Sequence, residues 1–247
     1  MTDVPTEDPA YPLTGRAAPC IADLDRLVVD CRACPRLVAW REEVAVVKRA
    51  AFRDETYWAR PLAGFGDEHA GVMVVGLAPA AHGGNRTGRM FTGDRSGDFL
   101  FASLHRTGFA SQPTSVHPGD GLTLTGVRLT APVRCAPPAN LPTPDERRRC
   151  GPWLRRELEL VDPDVVVVLG GFGWGALLAT LEEQGWAVPR PRPRFAHGAE
   201  LRIPGPGDRS LVLLGCFHVS QQNTFTGRLT PQMLDDVFLR ARELAAH

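Results

Sequence analysis

The sequence has no net charge and no long apolar run. Its 28 basic side chains are balanced by 28 acidic ones, so any attraction to nucleic acid must come from local clusters. No apolar stretch approaches the roughly 20 residues that a membrane-spanning helix needs. Residues 1–19 hold prolines and acids where a secretory signal has a basic start and an apolar middle. We therefore expect a cytoplasmic protein with no membrane partner.

Size and composition are those of one ordinary globular domain. The chain has 247 residues, of which 43% are hydrophobic and 23% charged, and this suffices for one substantial core. Residues 1–20 are rich in proline and polar side chains, which predicts a disordered N-terminal tail. We expect residues 21–247 to form a single domain that works as a monomer.

Four short apolar runs predict strands that are buried on both faces. They lie at 72–77, 122–129, 165–169 and 211–217. Segments with helical periodicity surround them, at 21–50, 97–107, 143–160, 174–184 and 231–245. The alternation predicts an α/β three-layer sandwich with a central, mainly parallel four-stranded sheet and helices on both faces. Ligands of such open sheets bind beyond the carboxyl ends of the strands.

Four of the six cysteines have the spacing of a metal cage. Cys31 and Cys34 form a Cys-x-x-Cys pair, and Cys135 and Cys150 come much later in the chain. Thiolates are the ligands of iron–sulfur clusters and of structural zinc, and a Cys-x-x-Cys pair brings two sulfurs together from one turn of backbone. A reducing compartment keeps such thiols free for metal. The spacing leaves an iron–sulfur cluster, zinc in the same cage and four unrelated thiols as alternatives.

The loops that follow the predicted strands hold polar side chains suited to chemistry. They contribute a carboxylate, two imidazoles, two amides and two aromatic rings: Asp94, His82, His218, Asn140, Asn223, Phe91 and Phe225. The glycine-rich loop after the first strand lacks the Lys-Ser/Thr of a P-loop and the dinucleotide spacing, which argues against a nucleotide cofactor. Carboxylates are too few here to hold catalytic divalent metal, which disfavours a metal-dependent nucleotide hydrolase. A DNA-binding module without catalytic activity is the other alternative.

Three segments resemble the family 5 (B-type) uracil-DNA glycosylases. They are Gly64 to Asp67, Gly76 to Asp94, and His218 to Gly227. The resemblance covers residues 24–245, and the four cysteines match the [4Fe–4S] cage of that branch. It implies a DNA repair enzyme that flips uracil out of DNA and hydrolyses its N-glycosidic bond, leaving an abasic site. Hypoxanthine, xanthine and etheno-adducts are further substrates that the family allows.

The resemblance also implies catalytic roles. Asp94 is expected to stabilise the sugar cation or to orient water, with His82 as the lesser candidate for that role. His218 is expected to stabilise the departing base electrostatically. A simple helix N-cap is the alternative function of Asp94.

The resemblance also implies which residues contact the base and the DNA. The implied base-binding residues are Ala78, His82, Phe91 and Asn140, of which Phe91 stacks on the base and Asn140 pairs with its edge. Arg86 and Arg89 are expected to contact DNA phosphates, although short charge runs often form only a solvated face. The implied wedge into the duplex is the segment Gln221, Gln222 and Asn223, and its polarity leaves the wedging residue open.

Overall fold

Six strands form one mixed sheet in the computed structural model, which describes residues 4–245. The strands are β1 (Phe65–Gly66), β2 (Val72–Val75), β3 (Val127–Thr130), β4 (Val165–Leu169), β5 (Glu200–Pro204) and β6 (Ser210–Cys216). The α-helices are α1 (Ile21–Val29), α2 (Pro35–Val47), α3 (Gly84–Thr87), α4 (Arg95–Arg106), α5 (Pro144–Val161), α6 (Gly171–Glu183), α7 (Gln221–Phe225) and α8 (Pro231–Ala245). None of the helices within residues 4–245 is long and apolar enough to cross a bilayer.

The centre of the sheet confirms the predicted parallel arrangement. The strand order is β1-β3-β2-β4-β6-β5, and the four inner strands β3, β2, β4 and β6 run parallel to one another. The two outer strands pair antiparallel and were not predicted. Strand β1 has only two residues, and β5 buries only Ile203 fully, so neither contains a continuous apolar run.

Side chains of the inner strands alternate between two cores. Val72 and Val74 pack with α4 and α8 on one face, whereas Met73 and Val75 pack with α1, α5 and α6 on the other. All four side chains are fully buried. This burial on both faces explains why the strands are continuously apolar, and it gives the predicted α/β sandwich its three layers.

Local sequence signals set the ends of the helices near the loops. Pro35 is the first residue of α2, so the chain between α1 and α2 is an irregular segment that contains Cys31 and Cys34. Helix α5 begins with a capping box, in which the Thr143 side chain accepts from the Glu146 amide and Glu146 accepts from the Thr143 amide.

The N-terminal segment is more ordered than predicted. Tyr11–Ala17 form a 3-10 helix, and the Tyr11 ring packs edge-on against Trp153 with 5.9 Å between ring centroids. Gly15 lies so close to Trp153 that a Cβ there would be 2.5 Å from the indole. The prediction of a disordered tail is therefore wrong for residues 11–17, because tight aromatic packing anchors them. Residues 1–3 of the predicted tail lie outside the described part of the chain.

Candidate active site

A cavity of about 390 Å³ opens at the carboxyl ends of β2, β3 and β6. Many of its lining side chains are residues that the sequence predicted for the site: Ala78, Phe91, Asp94, Asn140, His218, Gln222 and Asn223. They come from three different loops, which the parallel strands bring to one edge of the sheet. The location agrees with the rule for ligands of open α/β sheets.

Asp94 is both the N-cap of α4 and a wall of this cavity. The Gly97 amide donates to Asp94 Oδ1 at 3.0 Å. Burial raises the pKa of the Asp94 carboxyl above its ordinary value of 3.8, against the lowering effect of the amide hydrogen bonds. Gly83 allows this packing, because a Cβ on it would lie 2.2 Å from Asp94 Oδ2. Asp94 is thus a helix N-cap, as the alternative stated. Its carboxylate nevertheless lines the cavity.

Phe91 is held in an unusual backbone conformation. Its φ is +53°, a left-handed value that costs a non-glycine residue about 1–3 kcal/mol. The ring lies against the backbone at the end of β2, where a Cβ on Gly76 would be 2.6 Å from Phe91 Cζ. Such strain is common at functional sites, where the surrounding structure enforces it.

Arg89 helps to hold the backbone of Phe91 in this conformation. It is only 6% exposed, and its guanidinium donates to both oxygens of Asp120, at 3.0 and 2.6 Å. It also donates to Ser115 Oγ at 2.7 Å and to Thr92 Oγ1 at 3.1 Å. The prediction that Arg89 contacts DNA phosphate is therefore wrong, because these groups bury the guanidinium and hold the loop that carries Phe91.

Arg86 is likewise engaged inside the protein. Its guanidinium lies 3.9 Å above the centroid of Phe52 and forms an ion pair with Glu55. It donates to the carbonyl oxygens of His82 at 2.8 Å and Gly93 at 2.9 Å. With its side chain 11% exposed, Arg86 braces the glycine-rich loop, and the prediction of a phosphate contact is corrected for it as well.

His82 lies outside the inner cavity. It lines an adjoining outer groove of about 700 Å³, together with Arg49 and Arg95, and Asp94 and Asn140 lie between the groove and the cavity. His82 Nδ1 and the Tyr57 hydroxyl are 2.9 Å apart, and the two rings pack edge-on. The structure therefore places His82 in the groove that Asn140 borders, and apart from Ala78 and Phe91, which line the inner cavity. Sequence reasoning missed Arg49 and Arg95, which no local motif distinguishes from other arginines.

His218 follows β6 and faces the cavity. Burial lowers the pKa of its imidazole below 6.5, which favours the neutral ring. The Asn223 side chain donates to the His218 carbonyl oxygen at 2.8 Å and so holds the turn that follows His218 in place. Val219, which stands where the family often has proline, is fully buried in the core and fixes the turn by packing.

Asn140 stands in a strained turn on the opposite wall. Pro138–Asn140 form a 3-10 turn in which Ala139 and Asn140 both have positive φ, at +53° and +56°. Asparagine tolerates this conformation better than alanine does. The turn is exposed, follows Cys135 closely, and places the Asn140 amide at the boundary of cavity and groove.

The four predicted cysteine ligands line one small cavity, together with Arg134 and Trp153. Burial raises the pKa of Cys34 to about 12 and that of Cys135 to about 11. Within residues 4–245, no group of three or more His, Cys, Asp or Glu side chains is arranged to hold a metal ion. The four thiols thus share one cavity.

Comparison with known proteins decides the family. Residues 63–242 match the model of the uracil DNA glycosylase superfamily. A type-5 uracil-DNA glycosylase of Mycobacterium bovis is 56% identical over 91% of this chain and 82% of its own length. One of Thermus thermophilus is 55% identical over 87% of this chain and 94% of its own length. The chain belongs to the type-5 uracil-DNA glycosylases.

Membership of this family confirms the resemblance seen in the sequence. A type-4 uracil-DNA glycosylase of Thermotoga maritima is more distant, at 32% identity over 43% of this chain and 48% of its own length. The difference supports the assignment to type 5, which rested on the segments Gly64 to Asp67, Gly76 to Asp94, and His218 to Gly227.

Proposed function

We propose that the chain removes uracil from DNA by hydrolysing the N-glycosyl bond of a flipped nucleotide in the inner cavity. The observation that carries the proposal is the convergence of Asp94, Phe91, Asn140 and His218 on one cavity at the sheet edge. A duplex hides the bond between sugar and base, so the nucleotide must leave the stack before it can react. Binding alone would not require a carboxylate and an imidazole that face the same cavity, which disfavours a non-catalytic DNA-binding module.

Base recognition falls to Phe91 and Asn140. The strained Phe91 offers a ring whose position is fixed, and a flipped base stacks against it. The Asn140 amide has both a donor and an acceptor, as the Watson–Crick edge of uracil requires. Ala78 lines the same cavity and leaves room for the base.

Asp94 and His218 supply the charges that bond breaking needs. Positive charge develops on the sugar, and the ionised Asp94 carboxylate stabilises it or orients the attacking water. Negative charge develops on the departing base, and the neutral His218 imidazole donates a hydrogen bond to a base oxygen. His82, in the outer groove, lies on the path of the DNA rather than at the reacting bond.

DNA approaches along the outer groove. Arg49 and Arg95 line it, and neither makes an ion pair with a carboxylate in the described part of the chain, so both are available to phosphates. Gln221 and Gln222 of the predicted wedge also face the groove, whereas Asn223 is occupied by the His218 turn. The nearby apolar side chains that can stack in the vacated position are Leu141, 70% exposed, and Phe225, 65% exposed.

Replacing Arg49 and Arg95 together with glutamine should weaken DNA binding without regard to sequence. Two lost phosphate contacts should lower the slope of log affinity against log salt by about 2, measured by fluorescence anisotropy between low and moderate salt. Arg209→Gln is the matched control, because Arg209 directly precedes β6 and so lies at the end of the strands opposite the groove. An unchanged slope in the double variant would remove the groove from the DNA path.

The Gly76→Ala variant tests the stacking role of Phe91. The added Cβ would meet the ring at 2.6 Å, so the ring must move. We expect single-turnover excision of uracil to fall at least about tenfold, on the general cost of misplacing a positioning group, with DNA affinity retained. Gly175→Ala, which adds a Cβ with nothing within 4 Å, is the control and should behave as wild type. Equal rates for the two variants would show that the ring position is irrelevant.

The four cysteines are proposed to bind a [4Fe–4S] cluster. Thiolates are the ligands of such clusters, and all four cysteines line one cavity. Zinc in the same cage is the alternative, and the iron, sulfide and zinc content of the purified protein distinguishes the two. Hydrolysis needs no electron transfer, so the cluster would tie Cys31 and Cys34 to the loop that carries Asn140. Replacing any of the four cysteines with serine should lower the iron content and the stability of the protein.

The proposed substrate range starts with uracil. Hypoxanthine, xanthine and etheno-adducts are larger than uracil, and excision of each is tested on matched duplexes that differ only in the damaged base. We also propose that the enzyme acts as a monomer in the cytoplasm.

The activity itself is tested by abasic-site formation on a uracil duplex with EDTA present. Full activity under chelation is the expected result, because Asp94 and His218 act without a dissociable metal. Release of free uracil from nucleotides, with none from DNA, would instead favour the nucleotide hydrolase.

A further inference from the structure

Arg41 is a buried cation whose charge the described protein does not balance. It lies in α2, is 1% exposed, and makes no ion pair with a carboxylate among residues 4–245. Its guanidinium donates to the carbonyl oxygen of Cys31 at 3.3 Å and to Cys135 Sγ at 3.0 Å. Its Nε has no partner. A buried charge is costly unless an opposite charge lies close to it, and the acidic side chain that Arg41 contacts directly is the Cys135 thiol.

Arg134 is a second buried arginine beside the four cysteines. It is 2% exposed and lines the four-cysteine cavity, and its backbone amide donates to Cys150 Sγ at 3.3 Å. One guanidinium nitrogen pairs with Glu157, whereas Nε and Nη1 have no partner. Buried N–H groups without acceptors are rare in folded proteins, so we expect an acceptor for these donors in the cavity.

Arg128 shows that the fold satisfies a buried arginine elsewhere. It is also 2% exposed, but it pairs with Glu157 at 2.6 Å and with Asp25 at 2.9 Å. Its guanidinium nitrogens are absent from the unpartnered buried groups of the described chain. Apart from Arg155 Nε, the unpartnered buried guanidinium nitrogens among residues 4–245 belong to Arg41 and Arg134.

We propose that Arg41 is the counter-charge of the [4Fe–4S] cluster, that Arg41 and Arg134 are hydrogen-bond donors to it, and that both residues set its reduction potential and its retention. The inference rests on the cluster proposed above. A cluster held by four thiolates is anionic, and net charge and hydrogen bonds to the sulfurs tune its potential. Removing a nearby positive charge disfavours the more negative, reduced form. The potential should therefore fall when Arg41 loses its charge.

The test compares Arg41→Met, Arg41→Lys and wild type as purified holoproteins. Iron and sulfide per chain, the rate at which EDTA bleaches the visible absorption, and the reduction potential are measured for each. Arg41→Met should lose its cluster about tenfold faster, a typical effect of removing an outer-shell partner, and its potential should be lower than that of wild type. Arg41→Lys keeps the positive charge, so its reduction potential should stay near that of wild type. Because lysine lacks the two hydrogen-bonding nitrogens of the guanidinium group, the cluster should still be lost faster than in wild type.

Arg89→Met is the matched control, because it removes a buried arginine whose charge Asp120 balances and which shares no carboxylate partner with Arg41 or Arg134. It should lower the melting temperature but leave the reduction potential unchanged. A wild-type potential and bleaching rate in Arg41→Met would overturn the inference. If that variant does not fold, Arg134→Gln takes its place, and an unchanged potential there overturns it equally. Wild-type protein without iron and sulfide would instead refute the cluster itself.

Discussion

Asp94→Asn should slow single-turnover excision of uracil on the order of a thousandfold, within the usual range for one positioned acid or base. The substitution removes the negative charge that faces the cavity. It leaves the helix start intact, because asparagine caps as well as aspartate and can accept from the Gly97 amide in the same way. Melting temperature and affinity for uracil duplex should therefore stay near wild type.

Asp208→Asn is the control for charge alone. Asp208 is an exposed acid between β5 and β6, so its loss changes the net charge equally without touching the inner cavity or the outer groove. It should keep the wild-type rate of excision. If Asp94→Asn were equally fast, Asp94 would be only a helix cap.

The pH profile provides a second view of the same carboxylate. Burial raises the pKa of Asp94 above 3.8, and the reaction needs the ionised form. Excision should therefore fall with decreasing pH through a midpoint above 3.8, whereas an exposed aspartate would titrate lower. The acid limb should be missing in Asp94→Asn. An identical limb in that variant would assign the titration to another group.

His218→Ala should reduce single-turnover excision by on the order of a hundredfold to a thousandfold, the usual cost of one donor to a developing anion. Because the side chain only faces the cavity, DNA binding should survive. His218→Asn keeps an N–H donor near the same position and should recover part of the rate. His82→Ala should lose much less, since His82 lies in the outer groove. A larger loss for His82→Ala than for His218→Ala would reverse these roles.

The inner strands were predictable because burial on both faces leaves a continuous apolar run, as in β2 and β4. The outer strands were not: β5 is charged and largely exposed, and β1 has two residues. The ordered segment at residues 11–17 was missed because its stability comes from a distant partner, Trp153.

Residues that line the inner cavity were predictable where long motifs name them, as for Asp94, Phe91 and His218. The arginines were not, because a charged side chain reveals its role only through its partners. Arg89 meets Asp120, 31 positions later, and becomes a buried support, whereas Arg95, one residue after a predicted motif, lines the outer groove and packs over the Phe225 ring. Partners that are distant in sequence leave no local signal.

The account is tested most directly by a crystal structure of Asp94→Asn bound to a duplex that contains uracil. The slowed variant should trap the substrate with its N-glycosyl bond intact. We predict uracil in the inner cavity, stacked on Phe91, paired with the Asn140 amide, and with His218 at a base oxygen. Uracil that remains stacked in the duplex, or lies in the outer groove beside His82, would contradict the proposed site.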